Sequence, residues 1–203
     1  MATITMVASV NYSTLSAASN DIIDLAGYTL TISAAPAETG ISITTPATAG
    51  AVVISGGYDL STWSMTAGTV SLIATIPSGC VVGAVVGGSA SNAHGCDTNN
   101  GTITTCTGGS GSYTYASGCT TNNGTITTCT GGSANTTSGC TTNNGTITNC
   151  TGGAVGDSFG CTTNNGTITT CTAGSGFRAY GCITNNSTIT TCTAGSGGSA
   201  IGC

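Results

Sequence analysis

The residues of this chain that most invite a chemical explanation are its twelve cysteines, none of which precedes residue 80. They stand at Cys80, Cys96, Cys106, Cys119, Cys129, Cys140, Cys150, Cys161, Cys171, Cys182, Cys192 and Cys203. The leading member of each repeat falls at 96, 119, 140, 161, 182 and 203, so the spacing is 23 once and 21 thereafter. A cysteine can close a disulfide, ligate a metal ion or fill a core as a small apolar group. Pairing each trailing cysteine with the next leading one uses all twelve, as 80–96, 106–119, 129–140, 150–161, 171–182 and 192–203. Bridging by column also uses them all, for example 96–119, 140–161 and 182–203. Closing a bridge within one CTTNNGTITTC stretch leaves Cys80 and Cys203 over. Intrachain disulfides are the favoured expectation, with reduced core thiols as the other choice. There is no C-x2-C pair and one histidine, His94, so no metal site or cofactor is expected.

Catalytic constellations are missing from the sequence. His94 has no marked acidic partner, which is too little for a nucleophile–base–orienter set. Asp21 and Asp24 read as the polar start of a strand rather than a glycosidase pair. The Gly-Gly-Ser runs are turns, because no Gly-Lys-Ser/Thr follows them. Asn-Gly-Thr sequons at Asn100, Asn123, Asn144 and Asn165 are a by-product of the repeat. The expectation is a protein that is not an enzyme.

Charge narrows the partners. Lysine and arginine together number one, and the net charge is −5. Nucleic-acid binding and polybasic membrane attachment both need many cations, so neither is expected. No apolar run approaches the ~20 residues that span a bilayer, so membrane insertion is not expected either. Met1–Val10 has no positive segment ahead of an apolar one, so no signal peptide is visible, and the initial Met favours a chain made without a leader.

The elements that must position the cysteines follow from the repeat, C-T-T-N-N-G-T-I-T-T-C-T-G-G plus a variable stretch. A unit of this length suits one coil of a β-solenoid. Gly-Thr-Ile-Thr-Thr supplies one strand, the variable part another, and Asn-Asn-Gly a corner, where both residue types accept positive φ. Stacked coils align Asn122, Asn143, Asn164 and Asn185 into an amide ladder. They also align Thr102/Thr104, Thr125/Thr127, Thr146/Thr148, Thr167/Thr169 and Thr188/Thr190 into two outward columns with coils ~4.8 Å apart. Strict alternation with Ile126 inward turns Cys129 outward unless Thr127-Thr128 makes a corner, and an outward cysteine column could bridge to a neighbouring chain.

Residues 1–79 lack cysteine and hold short alternating runs such as ATITMVASV and DIIDLAGYTLTIS, which predict strands and no helix. A faint echo links Ile22-Ile23…Leu30 to Val52-Val53…Leu60 at an offset of 30. It predicts two wide coils or two similar hairpins. The expected organisation is all-β: residues 1–79 as a β-rich attachment domain and residues 80–203 as a disulfide-stiffened β-solenoid.

The segments NDIIDLAGYTLTI and NNGTITNC resemble coils of right-handed β-helix surface and fibre proteins, and the resemblance covers residues 96–203 best. It implies a non-enzymatic structural protein, a decoration or fibre-like component of a virion surface. Other virion proteins or copies of the chain itself would be its partners, in a symmetric oligomer. An extracellular adhesin or filament subunit is the alternative. The Thr-x-Thr columns resemble the face of solenoidal antifreeze proteins, which implies ice binding as a further alternative. The varied loops carry Tyr113, Tyr115, Phe159, Phe177, Arg178 and Tyr180, aromatic and arginine anchors suited to partner contact.

Overall fold

A computed structural model of the chain describes residues 1–45, 50–67, 73–89, 92–110 and 115–203. The described residues form a parallel β-solenoid. One wall is a ten-stranded sheet that begins at Thr3–Thr5 and ends at Thr188–Thr193. A second wall is a three-stranded sheet of Val10–Asn11, Thr29–Ile32 and Ala51–Ile54. Seven strands from Ile73–Ile76 to Ser199–Ile201 form the third sheet. Among the described residues every pairing is parallel, and one short 3-10 turn, Tyr12–Thr14, interrupts the strands.

The ten-stranded sheet crosses residue 80 without a break, since Asp59–Ala67 pairs with Val81–Val86, which pairs with Thr102–Thr107. What changes there is the core. The early coils bury Ile23, Leu25, Leu30, Ile32, Ile41, Ile43, Leu60, Trp63 and Met65, and the later ones bury one Ile and two Cys per coil. Tyr12 and Trp63 pack with their rings tilted at 58° and their centroids 5.0 Å apart, and both bind Glu38: the tyrosine hydroxyl donates to its carboxylate and the indole N–H to its carbonyl, each at 3.0 Å.

The echo at an offset of 30 is not the coil register. Leu30 pairs with Val52, and Ile23 pairs with Ile43 and through it with Met65. Ile22–Asp24 and Ala51–Ile54 belong to different sheets, so their likeness reflects a shared strand composition.

Cys129 corrects the expected alternation. Ile126 and Cys129 are both fully buried although three residues apart, while Thr127 is exposed. The strand bends between them, and the ladder steps from Ile103↔Ile126 to Thr105↔Thr128 without pairing the residue between. That bend turns Cys106, Cys129, Cys150 and Cys171 fully inward, away from any neighbouring chain, while Cys192 in the last coil stays half-buried.

The Asn-Asn-Gly corner is also built differently from expectation. Positive φ among non-glycine residues occurs at Asn20, Ala26 and Asn92, and among glycines at Gly27, Gly40, Gly79 and Gly156, none of them in that corner. Its glycine is required by close approach instead. A Cβ on Gly145 would lie 2.1 Å from the carbonyl oxygen of Gly124 in the coil beneath. Where Ser187 replaces the glycine, the Thr188 N–H bond to Gly166 lengthens to 3.3 Å, against 2.9 Å for Thr146 on Gly124.

Candidate functional site: the sulfur core and the polar files

The trailing cysteines continue an aliphatic file. Ile23, Ile43, Met65, Val85, Cys106, Cys129, Cys150, Cys171 and Cys192 are successive partners in the ten-stranded sheet. Leading cysteines Cys96, Cys119, Cys140, Cys161 and Cys182 form a parallel file in the seven-stranded sheet. Cysteine is among the residue types most often fully buried, and here it stands where isoleucine, methionine and valine stood a few coils earlier.

Each trailing thiol has a fixed polar partner. Cys106, Cys129, Cys150 and Cys171 donate to the carbonyls of Gly118, Gly139, Gly160 and Gly181 at 3.0, 2.9, 2.9 and 2.8 Å. The glycine ahead of each leading cysteine makes room for this sulfur. A Cβ on Gly139 would lie 2.8 Å from Cys150 Sγ and 2.7 Å from the Gly160 carbonyl oxygen. Leading thiols donate within their own strand, Cys119 to the Thr121 carbonyl at 3.3 Å. Burial, and then the hydrogen bond with Cys106, pushes the Cys129 thiol above its ordinary range.

Of the six trailing–leading pairs, Cys192–Cys203 is a disulfide with its Cα atoms 5.9 Å apart, and the other ten cysteines are buried thiols. Cys80 stands outside the repeating geometry. The partner of Cys106 in the preceding coil is Val85, five residues after Cys80, so Val85 occupies the trailing position of that coil.

The predicted amide ladder is present and longer than expected. Asn99, Asn122, Asn143 and Asn164 each donate from Nδ2 to Oδ1 of the next member, ending on Asn185, at 2.8 Å throughout. The first four are fully buried and Asn185 is exposed. Asn143 also binds the carbonyls of Gly145 and Thr167, and its Oδ1 accepts from the Gly145 N–H, each at 3.3 Å. Asn99 escaped sequence reading because Asp97 breaks the C-T-T-N-N word. A second, exposed ladder was missed outright: Asn123, Asn144, Asn165 and Asn186 donate back to Asn100, Asn123, Asn144 and Asn165 at 2.8–3.0 Å. The two ladders donate in opposite directions along the rod. The signal for the outer one was the second Asn of every repeat.

The Thr columns lie on the outer face of the ten-stranded sheet. Thr104, Thr125, Thr127, Thr146, Thr148, Thr167, Thr169, Thr188 and Thr190 are exposed and Thr102 is half-buried. Thr102, Thr125, Thr146, Thr167 and Thr188 are register partners.

The varied residues gather along the seven-stranded sheet. Tyr115, Thr136, Asp157 and Arg178 share one file, and Ser117, Ser138, Phe159 and Tyr180 another. Tyr115, Phe177 and Arg178 are exposed, whereas Phe159 and Tyr180 are half-buried and stack on each other at 5.8 Å. Arg178 is not a free anchor: Nε donates to Asp157 Oδ1 at 2.7 Å, and Nη2 to Oδ2. Tyr113 lies outside the described residues.

The remaining candidates have local partners. Asp21 is buried and accepts from the Ala2 and Ala18 N–H groups, which hold its carboxyl below the ordinary value, and Asp24 accepts from Ala26. His94 Nδ1 accepts from the Ser117 N–H at 3.3 Å, and burial lowers its pKa against the opposing charge of Asp97. His94 occupies the file position of Ser117. Ser117 and Ser138 bind Thr141 and Thr162 one coil on, and the corresponding Thr120 Oγ1 is buried without a hydrogen-bond partner. A shallow groove of about 580 Å³ runs along the coils over Gly109, Gly132 and Gly153, with Thr107, Thr130 and Thr151 on its rim. No helix among the described residues is long and apolar enough to cross a membrane. No family model, curated protein or solved structure matches the chain.

Proposed function

We propose that the chain is a non-enzymatic structural protein of a virion surface, a decoration or fibre-like component whose first coils hold to the particle while the repeat coils project. One observation carries this reading. The constant residues of the repeat satisfy each other from coil to coil, through the thiol–glycine contacts and the inner Asn99–Asn185 ladder. The varied residues collect in two files of a single wall, with Tyr115, Asp157 and Arg178 in one and Phe159 and Tyr180 in the other. Such a wall can change its contacts, to other particle proteins or to copies of the chain, without disturbing the scaffold. Immunogold labelling of purified particles with antibody against residues 80–203 tests the proposal. Label on the particle surface, co-sedimenting with particles through a density gradient, is the expected result. Label confined to cell-surface filaments overturns it in favour of an extracellular adhesin or filament subunit.

The exposure of nine threonines in two columns favours a second reading, ice binding by the ten-stranded face. Regular hydroxyl and methyl groups on a flat sheet can order water in a repeating lattice. Thermal hysteresis and faceted ice crystals in a solution of the purified protein are the expected signs, and their absence at high protein concentration removes this reading.

A further inference from the structure

The last two trailing sulfurs and the last leading one form a cluster that the proposed structural role does not use. Sγ atoms of Cys171, Cys192 and Cys203 all lie within 4.8 Å of one another. Two of them are joined, and the third is a thiol. Cys171 is fully buried, Cys192 half-buried and Cys203 exposed. Cys171 and Cys192 are also direct partners in the ten-stranded sheet.

We propose that Cys171 is the nucleophile of an internal thiol–disulfide exchange whose substrate is the chain's own Cys192–Cys203 bridge. The Cys171 thiolate attacks Cys192 Sγ and forms a Cys171–Cys192 bond. The Cys192–Cys203 bond breaks, and its electron pair leaves with Cys203 Sγ, which takes up from solvent the proton that Cys171 gave up. One disulfide is present before and one after, so no external oxidant or reductant enters the step. Exposure favours this direction of departure, because Cys203 leaves as a thiolate facing water. The exchange moves the bridge one coil inward along the trailing file and presents a reactive thiol at the exposed end. It thereby carries an oxidising equivalent from a more exposed position to a more buried one.

The sequence provides a direct test. Arg178 is the chain's one tryptic site, and it separates Cys171 from Cys192 and Cys203. The full-length chain carrying Cys182→Val, which excludes a 171–182 bridge, is prepared with the 192–203 bridge alone. It is incubated between pH 6 and 8.5, quenched with acid, blocked with N-ethylmaleimide, denatured and cut with trypsin. Exchange joins residues 1–178 to residues 179–203 through a bond that reductant releases and mass spectrometry places between Cys171 and Cys192. The linked fraction is expected to appear at a rate independent of protein concentration. That rate rises with pH, because the thiolate is the attacking species. Adding Cys171→Val, the side chain already found in this file at Val85, is expected to abolish the link while the circular dichroism spectrum stays that of the parent. Failure to link at any pH overturns the proposal, as does a link that survives Cys171→Val or one whose rate scales with concentration.

Discussion

Val85 and Cys106 are partners in one parallel ladder, both fully buried, and the file that contains them runs from isoleucine and methionine on one side to four further cysteines on the other. The cysteines of the repeat are therefore first of all core residues. The trailing thiols fit a narrow interior because each donates to a glycine carbonyl, and the leading thiols donate to a threonine carbonyl of their own strand.

Substituting Cys129 by valine tests this equivalence. The file already accepts valine at Val85, and the expected loss is below about 1.5 kcal/mol. Gly139→Ala, which forces a Cβ to 2.8 Å from Cys150 Sγ and 2.7 Å from a backbone oxygen, is expected to cost about 1–3 kcal/mol or more. Urea unfolding midpoints of the two variants compare them directly.

The two asparagine ladders differ in depth and so in consequence. Asn143→Ala removes the Oδ1 that accepts from the Gly145 N–H and from the buried Asn122 amide, which keeps only its longer bonds to the Gly124 and Thr146 carbonyls, and the expected loss is about 1–3 kcal/mol. Asn144→Ala removes an exposed pair of bonds that water replaces, and is expected to cost less than about 1 kcal/mol. The difference between the two unfolding midpoints is the measurement.

His94 makes stability depend on pH near neutrality. Its folded pKa lies below the ordinary 6.5, so beneath that pH the unfolded chain binds a proton that the folded chain refuses. Stability is complete above 6.5 and falls as pH drops below it, by at most about 1.4 kcal/mol per unit. Asp21 acts at lower pH: its folded pKa is depressed, so its contribution is present above 3.8 and is lost as pH falls through the folded value. Urea midpoints at pH 7.5 and 5 therefore isolate the histidine. His94→Ser is expected to flatten that interval and to give Thr120 Oγ1 the partner that Thr141 and Thr162 already have.

Ice binding makes its own demand on the outer threonines. Thr127→Tyr combined with Thr148→Tyr breaks the flat array at two neighbouring exposed positions. If the face binds ice, thermal hysteresis disappears while the urea midpoint is unchanged. If the wall of varied residues is the working surface, neither quantity moves.

The later coils were legible from the sequence because their core uses the same letters every time: Cys119, Asn122, Ile126 and Cys129 announce one coil, and Cys140, Asn143, Ile147 and Cys150 the next. The early coils hid their register because the equivalent positions hold Ile23, Ile43, Met65 and Val85, any apolar residue being enough to fill the file. Of the two arrangements that the sequence left open at Cys129, a straight alternating strand or a corner at Thr127-Thr128, the second is found, and composition alone does not choose between them. Cys80 looked like the first trailing cysteine by count, but place in a coil is set by backbone pairing, which gives that position to Val85. Which wall would vary was readable from the loops. That Arg178 would already be held by Asp157 was not, because the two lie 21 residues apart and meet only through stacking.

Anomalous diffraction from the native sulfur atoms tests the central claim most directly, since it locates every cysteine without reference to the chain trace. The account predicts two parallel rows of sulfur sites inside the molecule, successive members about 4.8 Å apart, with Cys80 off both rows. Sulfur sites scattered over the surface, or paired without a common spacing, would contradict it.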